Sequence, residues 1–297
     1  MSDIAQIVPR GPFSLAAAAG FGFGPNEGRP PAFDGAMRVA FPIDGGSGYA
    51  GAVLRQPEPD GPVQIELELS DGGEAEPAIA QIARVISLED DGEQFLEVGV
   101  RDPAIAALQR AHRGQRPVLF HSPYEGAAWA IISARRPAAQ GASVRGELGE
   151  RLGASFELAG QTLHAFPQPA ALAGLREFPG LNAQKLQRLR DVAQAAGDGA
   201  LDVARLHALG PELAYREVQR LKGIGPFYAG LVVLRASGFA DAMLAAPEPK
   251  VLRHAARLYS LDAPPTLEQL AERAQAWRPF RTWVTVLIRL AGDRGTF

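Results

Sequence analysis

The spacing of hydrophobic positions along the chain changes near residue 100. Before that point, short runs alternate between apolar and polar residues and are separated by glycine- and proline-rich segments, a pattern that predicts strands of an antiparallel sheet. One intervening segment, AEPAIAQIARVISL, instead repeats its apolar residues every three or four positions, which predicts a helix. The predicted strands are MRVAFPI, AGAVLRQ, VQIELELS and QFLEVGV.

From about residue 101 onward, helical spacing recurs in one segment after another and strand signals disappear. Residues suited to accept hydrogen bonds from a first helical turn stand at several of the predicted helix starts. These are Asp102, Ser122, Asn182 and Thr266. We therefore predict an α+β domain over residues 1–100, followed by an all-α domain over residues 101–297.

Composition excludes several kinds of chemistry. The 297 residues include no cysteine, so disulfides, thiolate metal sites and a cysteine nucleophile are excluded. The five histidines lack metal-ligand spacing, and we expect neither a side-chain metal site nor a cofactor. No run of about 18 apolar residues and no basic leader segment occurs. We expect a cytoplasmic monomer that has no membrane partner.

Charge is distributed unevenly along the chain. The formal net charge is −3, but residues 1–117 carry 9 basic and 17 acidic residues, whereas residues 201–297 carry 13 and 9. An acidic first third joined to a mildly basic last third suggests that only the last third faces an anionic partner.

The segment KGIGPFYAG predicts a tight turn between two helices. Gly223 and Gly225 permit a positive φ and a close backbone approach, and Pro226 suits the first position of a helix. Ile224 is expected to anchor the turn in the core. Free amides at the start of the second helix, together with Lys222, form a candidate anion site. A glycine-capped corner with no ligand is the simpler alternative.

From about Phe120 to the C-terminus, the chain resembles the helix-hairpin-helix DNA glycosylase superfamily, and is most similar to bacterial 3-methyladenine DNA glycosylase II. The acidic first third is similar to the TATA-binding-protein-like domain of that subfamily. Four segments carry the resemblance, in order: SPYEGAAWAIISAR, LNAQKLQRLRDVAQAAGDG, LKGIGPFYAGLVVLRASGFADA and WRPFRTWVTVLIR.

The resemblance implies a base-excision repair enzyme that flips alkylated bases out of double-stranded DNA and hydrolyses their N-glycosidic bonds. It implies that Lys222, Gly223, Ile224 and Gly225 bind a DNA phosphate, commonly with a monovalent cation at backbone carbonyls. A catalytically weak or inactive DNA-binding relative is the alternative. A helical protein-interaction module without a DNA role is a third hypothesis.

The family's catalytic aspartate has no direct counterpart. Aligning VLRHAARLY with the family's helix puts Glu248 at that position, whereas a gapless count from Asp241 reaches Pro247. Glu248 at a helix N-terminus retains a negative charge that the helix dipole favours. Its additional methylene displaces the carboxylate, which predicts reduced activity unless the loop compensates. A solvated loop carboxylate in a non-catalytic relative is the alternative.

Two further groups of residues follow from the resemblance. Arg135 stands where the family places a side chain in the gap left by the flipped nucleotide, and Arg136 follows it; phosphate contact is the simpler role for both. The predicted base pocket is aromatic, although its members could equally belong to the core. They are Tyr124, Trp129, Phe227 and Phe280.

Overall fold

The computed structural model describes residues 3–21, 32–46 and 48–297. The N-terminal part forms a four-stranded antiparallel sheet with the spatial order β1-β4-β3-β2. The predicted α+β class with an antiparallel sheet is therefore confirmed. The strands are β1 (Asp3–Ile7), β2 (Met37–Pro42), β3 (Tyr49–Arg55) and β4 (Val63–Leu69).

Helices form most of the remaining structure. Two of them, α1 (Leu15–Ala19) and α2 (Ala75–Val85), accompany the sheet. Among the described residues, no helix has the length and apolar composition needed to cross a bilayer. The later helices are α3 (Gly92–Arg101), α4 (Pro103–Ala111), α5 (Pro123–Ser133), α6 (Ala138–Leu152), α7 (Pro169–Ala173), α8 (Ala183–Gly197), α9 (Val203–Leu209), α10 (Pro211–Gln219), α11 (Pro226–Arg235), α12 (Pro249–Leu258), α13 (Leu267–Arg273) and α14 (Arg281–Asp293).

The predicted helix starts are confirmed by capping hydrogen bonds. Ser122 accepts from the amide of Glu125, and Asn182 accepts from that of Lys185. Asp102 caps α4, and Thr266 forms a reciprocal capping box on α13. These caps satisfy amide groups that have no partner inside their helix, so they fix where each helix begins.

One predicted strand is wrong, because QFLEVGV lies within α3. The Asp91 side chain accepts hydrogen bonds from the amides of Glu93 and Gln94, which starts a helix. Phe95 and Val98 then lie on the same face and are buried against a core that includes residues from α12 and α14. Helix α3 thus packs with C-terminal helices, and the domain boundary at residue 100 stays a prediction.

The expectation that strands end near residue 101 is also wrong. A hairpin of β5 (Ser155–Leu158) and β6 (Gln161–His164) follows α6, and its turn uses Ala159 and Gly160 at positive φ. The hairpin packs on the N-terminal sheet, where Phe156 covers Gly51. A Cβ atom at Gly51 would lie 2.4 Å from Cγ of Phe156, so no larger residue fits there.

Arg116 lies at the junction between the sheet and the helices and is only 2% exposed. Its guanidinium donates hydrogen bonds of 2.5–3.2 Å to backbone carbonyls, and it lies 5.7 Å from the ring centroid of Phe13 and 5.5 Å from that of Trp283. Burial lowers the pKa of Arg116 to about 10. The accepting carbonyls belong to Arg10, Gly11, Pro12, Ser87 and Asp90.

Replacing Arg116 by methionine should destabilise the protein by about 3 kcal/mol or more, because buried carbonyls would lose their donor. Urea denaturation measures this change. The matched control is Arg113→Met, since Arg113 is exposed and pairs with Asp60 at the surface. That control should cost at most about 1 kcal/mol. Equal losses in both variants would show that the Arg116 hydrogen bonds contribute little.

Candidate active site

The turn between α10 and α11 favours glycine at position 223 chiefly because of its backbone conformation. Gly223 has φ +96°, and a Cβ atom there would lie 2.8 Å from Cδ of Arg188. Ile224 is 4% exposed and packs in the core shared by α5, α8 and α11, which fixes the turn against the helices as predicted. Lys222 and Gly225 are exposed on the outer side of the turn.

The N-terminus of α11 is suited to bind an anion. Gly225 immediately precedes Pro226 and, within the described residues, no side chain caps this helix. The amides of its first turn therefore have no partner inside the helix, and the positive end of the helix dipole adds to them. Lys222 contributes a full positive charge at the same end.

A basic groove extends from this turn. It measures about 1080 Å³ and lies between the end of α5, the start of α8 and the α10–α11 turn. No acidic side chain is among its described lining residues. Its charge would attract a polyanion along its length. The basic lining residues are Arg135, Arg136, Lys185, Arg188, Arg220 and Lys222.

Lys185 holds the loop that follows α5. Its Nζ donates to the carbonyls of Ile132, at 2.7 Å, and Ala134, at 2.8 Å. The next residue, Arg135, is exposed and has φ +57°, a conformation that is uncommon for a residue with a side chain. Nη2 of Arg136 donates to the carbonyl of Gly180 at 2.7 Å. The two arginines therefore differ, since Arg136 is bound to the groove wall whereas Arg135 lines the groove without a hydrogen-bond partner among the described residues.

An apolar cavity of about 100 Å³ lies beside the groove. Its walls come from α11, residues 244–246, the start of α12 and α14. Phe227 stands at its rim and is 50% exposed. The apolar side chains include Leu231, Leu234, Leu244, Val251 and Val286, and the charged ones are Arg235, Glu248 and Arg289.

Glu248 lines this cavity and is fixed there as the N-cap of α12. One carboxylate oxygen accepts from the amide of Val251 at 2.6 Å, and the other accepts from that of Lys250 at 3.3 Å. Nη1 of Arg289 lies 3.4 Å from the second oxygen. The carboxylate is thus held by the helix amides and by one cation, and its side chain remains 17% exposed.

Asp293 anchors Arg289 from the side away from the cavity. Its carboxylate accepts from Nε of Arg289 at 2.7 Å and lies 3.0 Å from Nε2 of His254. Burial opposes ionisation, but hydrogen bonds from His254 and Arg289 hold the pKa of Asp293 below its usual value. The orientation of Arg289 toward Glu248 therefore depends on an ionised Asp293.

Comparison with known proteins gives consistent results. No family model matches the chain. A DNA-3-methyladenine glycosylase of Bacillus subtilis is 23% identical over 220 residues, covering 71% of this chain and 70% of that protein. A probable bifunctional transcriptional activator/DNA repair enzyme AlkA of Mycobacterium tuberculosis is 28% identical over 85% of this chain, which spans about half (49%) of that relative's length.

The solved structure of the 3-methyladenine DNA-glycosylase from Archaeoglobus fulgidus superposes with a TM-score of 0.75, at 22% identity, over 99% of both chains. The chain has the helix-hairpin-helix DNA glycosylase fold. The resemblance inferred from its sequence is thus confirmed. Within this glycosylase fold, the α10–α11 turn is the hairpin and Glu248 begins the following helix.

Of the four aromatic residues predicted to line the pocket of this glycosylase fold, the structure brings only Phe227 to the cavity. Tyr124 is buried and donates its hydroxyl to the carbonyl of Pro167, while Trp129 packs in a small buried cluster. Phe280 is 3% exposed and packs against two rings of the C-terminal core. Their apolar area is used in packing, so these three side chains lie apart from this cavity, and the aromatic base pocket stays a prediction.

Asp241 does not approach the cavity. Its two carboxylate oxygens accept from Nε and Nη2 of Arg281 at 2.6 Å and 3.0 Å, and from Arg278 at 3.2 Å. It therefore positions the start of α14. Of the two carboxylates, Glu248 lines the cavity, and its alignment with the family's catalytic aspartate stays a prediction.

Sequence reasoning missed Arg235 and Arg289 as lining residues. Each ends an apolar helical run, GLVVLR and WVTVLIR. A charged residue on such a face is the signal that could have indicated them, because a buried charge needs a partner or a function. Arg235 is 7% exposed and donates to the carbonyl of Val118 at 2.5 Å.

The amine of Lys185 should titrate near pH 8, because burial and then the nearby charges of Arg136 and Arg188 lower its pKa to about 8. Between pH 8 and its unfolded value near 10.5, the unfolded chain binds a proton that the folded chain has released. This group therefore makes the protein more stable as pH rises through that window. NMR titration of the lysine side chain measures the pKa, and Arg188→Gln should raise it. A pKa unchanged by that substitution would show that the charge of Arg188 does not contribute to the shift and would leave burial as its cause.

Proposed function

We propose that this protein is a base-excision DNA glycosylase that flips an alkylated base into the cavity beside α11 and hydrolyses its N-glycosidic bond. The observation that carries the proposal is the Glu248 carboxylate, held at the N-terminus of α12 and facing a cavity whose opposite wall is the hairpin helix. A phosphate site and a base site are thereby adjacent. The names of the relatives support the repair chemistry and the alkylated lesion.

The basic groove is the DNA-binding surface in this proposal. Phosphate contacts from Lys222 and the amides of α11 give affinity and register without reading sequence. Arg135 projects into the groove and occupies the space left by the extruded nucleotide. A monovalent cation at the carbonyls of the Lys222–Gly225 turn, and a monomeric state, stay predictions.

The chemistry assigned to Glu248 is electrostatic. As the N-glycosidic bond breaks, the base leaves with the bonding electron pair and the sugar develops positive charge. A fixed carboxylate stabilises that charge, and water then adds to the anomeric carbon and releases its proton to solvent. Glu248 accepts two amide hydrogen bonds and faces Arg289, so its carboxylate is held in a fixed position.

The alternative function, a catalytically weak or inactive DNA-binding protein, would use the same fold and the same basic groove. Both oxygens of Glu248 are engaged by donors, which reduces the negative potential that the carboxylate offers to a sugar. This observation favours a catalytically weak or inactive DNA-binding relative. DNA binding alone does not separate the two functions, because both use the groove.

The proposal predicts release of free methylated bases from duplex DNA treated with a methylating agent. Glu248→Gln should lower the rate by about 100-fold or more, because it removes the charge and keeps the shape of the side chain. Chromatography of the released bases provides the measurement. Asp202→Asn is the matched control, since Asp202 caps α9 as Glu248 caps α12 but is exposed and remote.

Asp241→Asn distinguishes chemistry from folding. It should lower thermal stability by weakening the pair with Arg281, while release continues. No release by the unaltered protein, despite salt-dependent duplex binding, would support the inactive relative. Release that persists in Glu248→Gln at the original rate would remove Glu248 from the mechanism.

Duplex affinity should fall steeply with salt concentration. Lys222→Gln should reduce the slope of log affinity against log salt by about one, because one phosphate contact is lost. Arg110→Gln is the control, since Arg110 is exposed on α4, away from the groove. Fluorescence anisotropy at several salt concentrations provides the measurement. An equal change in both variants would indicate that only net charge matters.

A further inference from the structure

Gly230 lies in the middle of α11 and forms part of the cavity wall. A glycine inside a helix makes the protein less stable than alanine would, because it loses more backbone freedom on folding. Such a residue therefore needs a local reason. The two common reasons are a positive φ and a neighbouring element that leaves no room for a Cβ atom.

Neither reason applies at Gly230. Its backbone is helical and its φ is not positive. Beyond its own helix backbone and chain neighbours, a Cβ atom there would have one heavy atom within 4 Å, the amide nitrogen of Ala245 at 4.0 Å. Gly126 of α5 differs, because its Cβ atom would lie 2.9 Å from Cβ of Ala236. Gly230 is nevertheless buried, so the space beside it belongs to the cavity.

The wall that faces Gly230 also carries small side chains, those of Ala245 and Ala246. Elsewhere in the cavity wall, α11 presents the large side chains of Leu231 and Leu234. The helix therefore lacks a side chain in this wall only at position 230. A residue that lowers helix stability and contributes nothing but cavity volume is typical of a position kept free for a ligand.

We propose that Gly230 is a specificity-determining residue, whose missing side chain provides the space for the extruded alkylated base and so sets the largest base that the cavity admits. The inference rests on the proposed function and deepens it. One methylene group in a fitted pocket changes discrimination between substrates by about 10-fold or more. A single methyl group added at position 230 is therefore enough to alter base release measurably.

Gly230→Ala should change stability and activity in opposite directions. Its melting temperature should rise by about 2 °C, because alanine favours the helix and its methyl group enters the cavity without a clash. Single-turnover release of 7-methylguanine from duplex DNA should fall by about 10-fold, because the same methyl group takes space from the base. A purely structural role for Gly230 predicts no loss of release in a more stable variant.

Gly146→Ala is the matched control. Gly146 also lies inside a helix, α6, but it is exposed, and a Cβ atom there would have no neighbour within 4 Å. This variant should gain a similar melting temperature, since helix preference acts at both positions, while its release rate stays within about 2-fold of the unaltered protein. Equal release rates in the Gly146 and Gly230 variants would overturn the inference.

A pair of lesions separates size from a general loss of activity. The bases 7-methylguanine and 7-ethylguanine share one ring system and one charge and differ by a methylene group. The ratio of the ethyl rate to the methyl rate should be about 10-fold lower in Gly230→Ala than in the unaltered protein. Duplex affinity should not change, because the basic groove is unaltered. An unchanged ratio would overturn the size selection assigned to Gly230.

A second variant covers the case in which Gly230→Ala does not fold. Ala246→Val adds volume from the facing wall and should lower the same ratio, and an unchanged ratio there would count against the inference. Original release rates in Gly230→Ala would overturn this inference alone and leave the proposed function intact. Failure of the unaltered protein to release any methylated base would overturn the proposed function, and this inference with it.

Discussion

The buried guanidinium of Arg116 is the interaction on which the remaining arrangement depends. It donates hydrogen bonds to carbonyls of residues 10–12 and of the loop after α2, and it packs against Trp283 of α14. A charge taken out of water at this depth is tolerated only when its donors are satisfied, so these segments are held at fixed positions relative to one another. Helix α14 also carries Arg289, which connects this junction to the cavity.

At the cavity, the structural role of Glu248 also fixes the group to which we assign the chemistry. Glu248 satisfies amides that α12 would otherwise leave unpaired, and the same bonds fix its carboxylate. Because the helix amides hold this carboxylate, the glutamate side chain is fixed although it is one methylene longer than that of aspartate. The surrounding wall is mostly apolar, so the few charges that it contains are screened less than they would be in water.

Local chemistry made much of this structure predictable, whereas distant packing did not. Glycine and proline at the hairpin, and caps such as Ser122, act within a few residues and can be recognised in the sequence. The segment QFLEVGV satisfies strand alternation and helical spacing about equally, and the burial of Phe95 and Val98 against α12 and α14 favours the helix. The family resemblance predicted Phe280 as a pocket residue. Its packing against Phe95, which lies far away in the sequence, could not be recognised from local sequence.

The hairpin of β5 and β6 belongs to the helical half of the sequence but packs on the N-terminal sheet. The ring of Phe156 covers Gly51 and fills the space that a side chain at position 51 would occupy. A larger residue at Gly51 requires a smaller one at position 156. These two positions, more than a hundred residues apart, are therefore constrained to evolve as a pair.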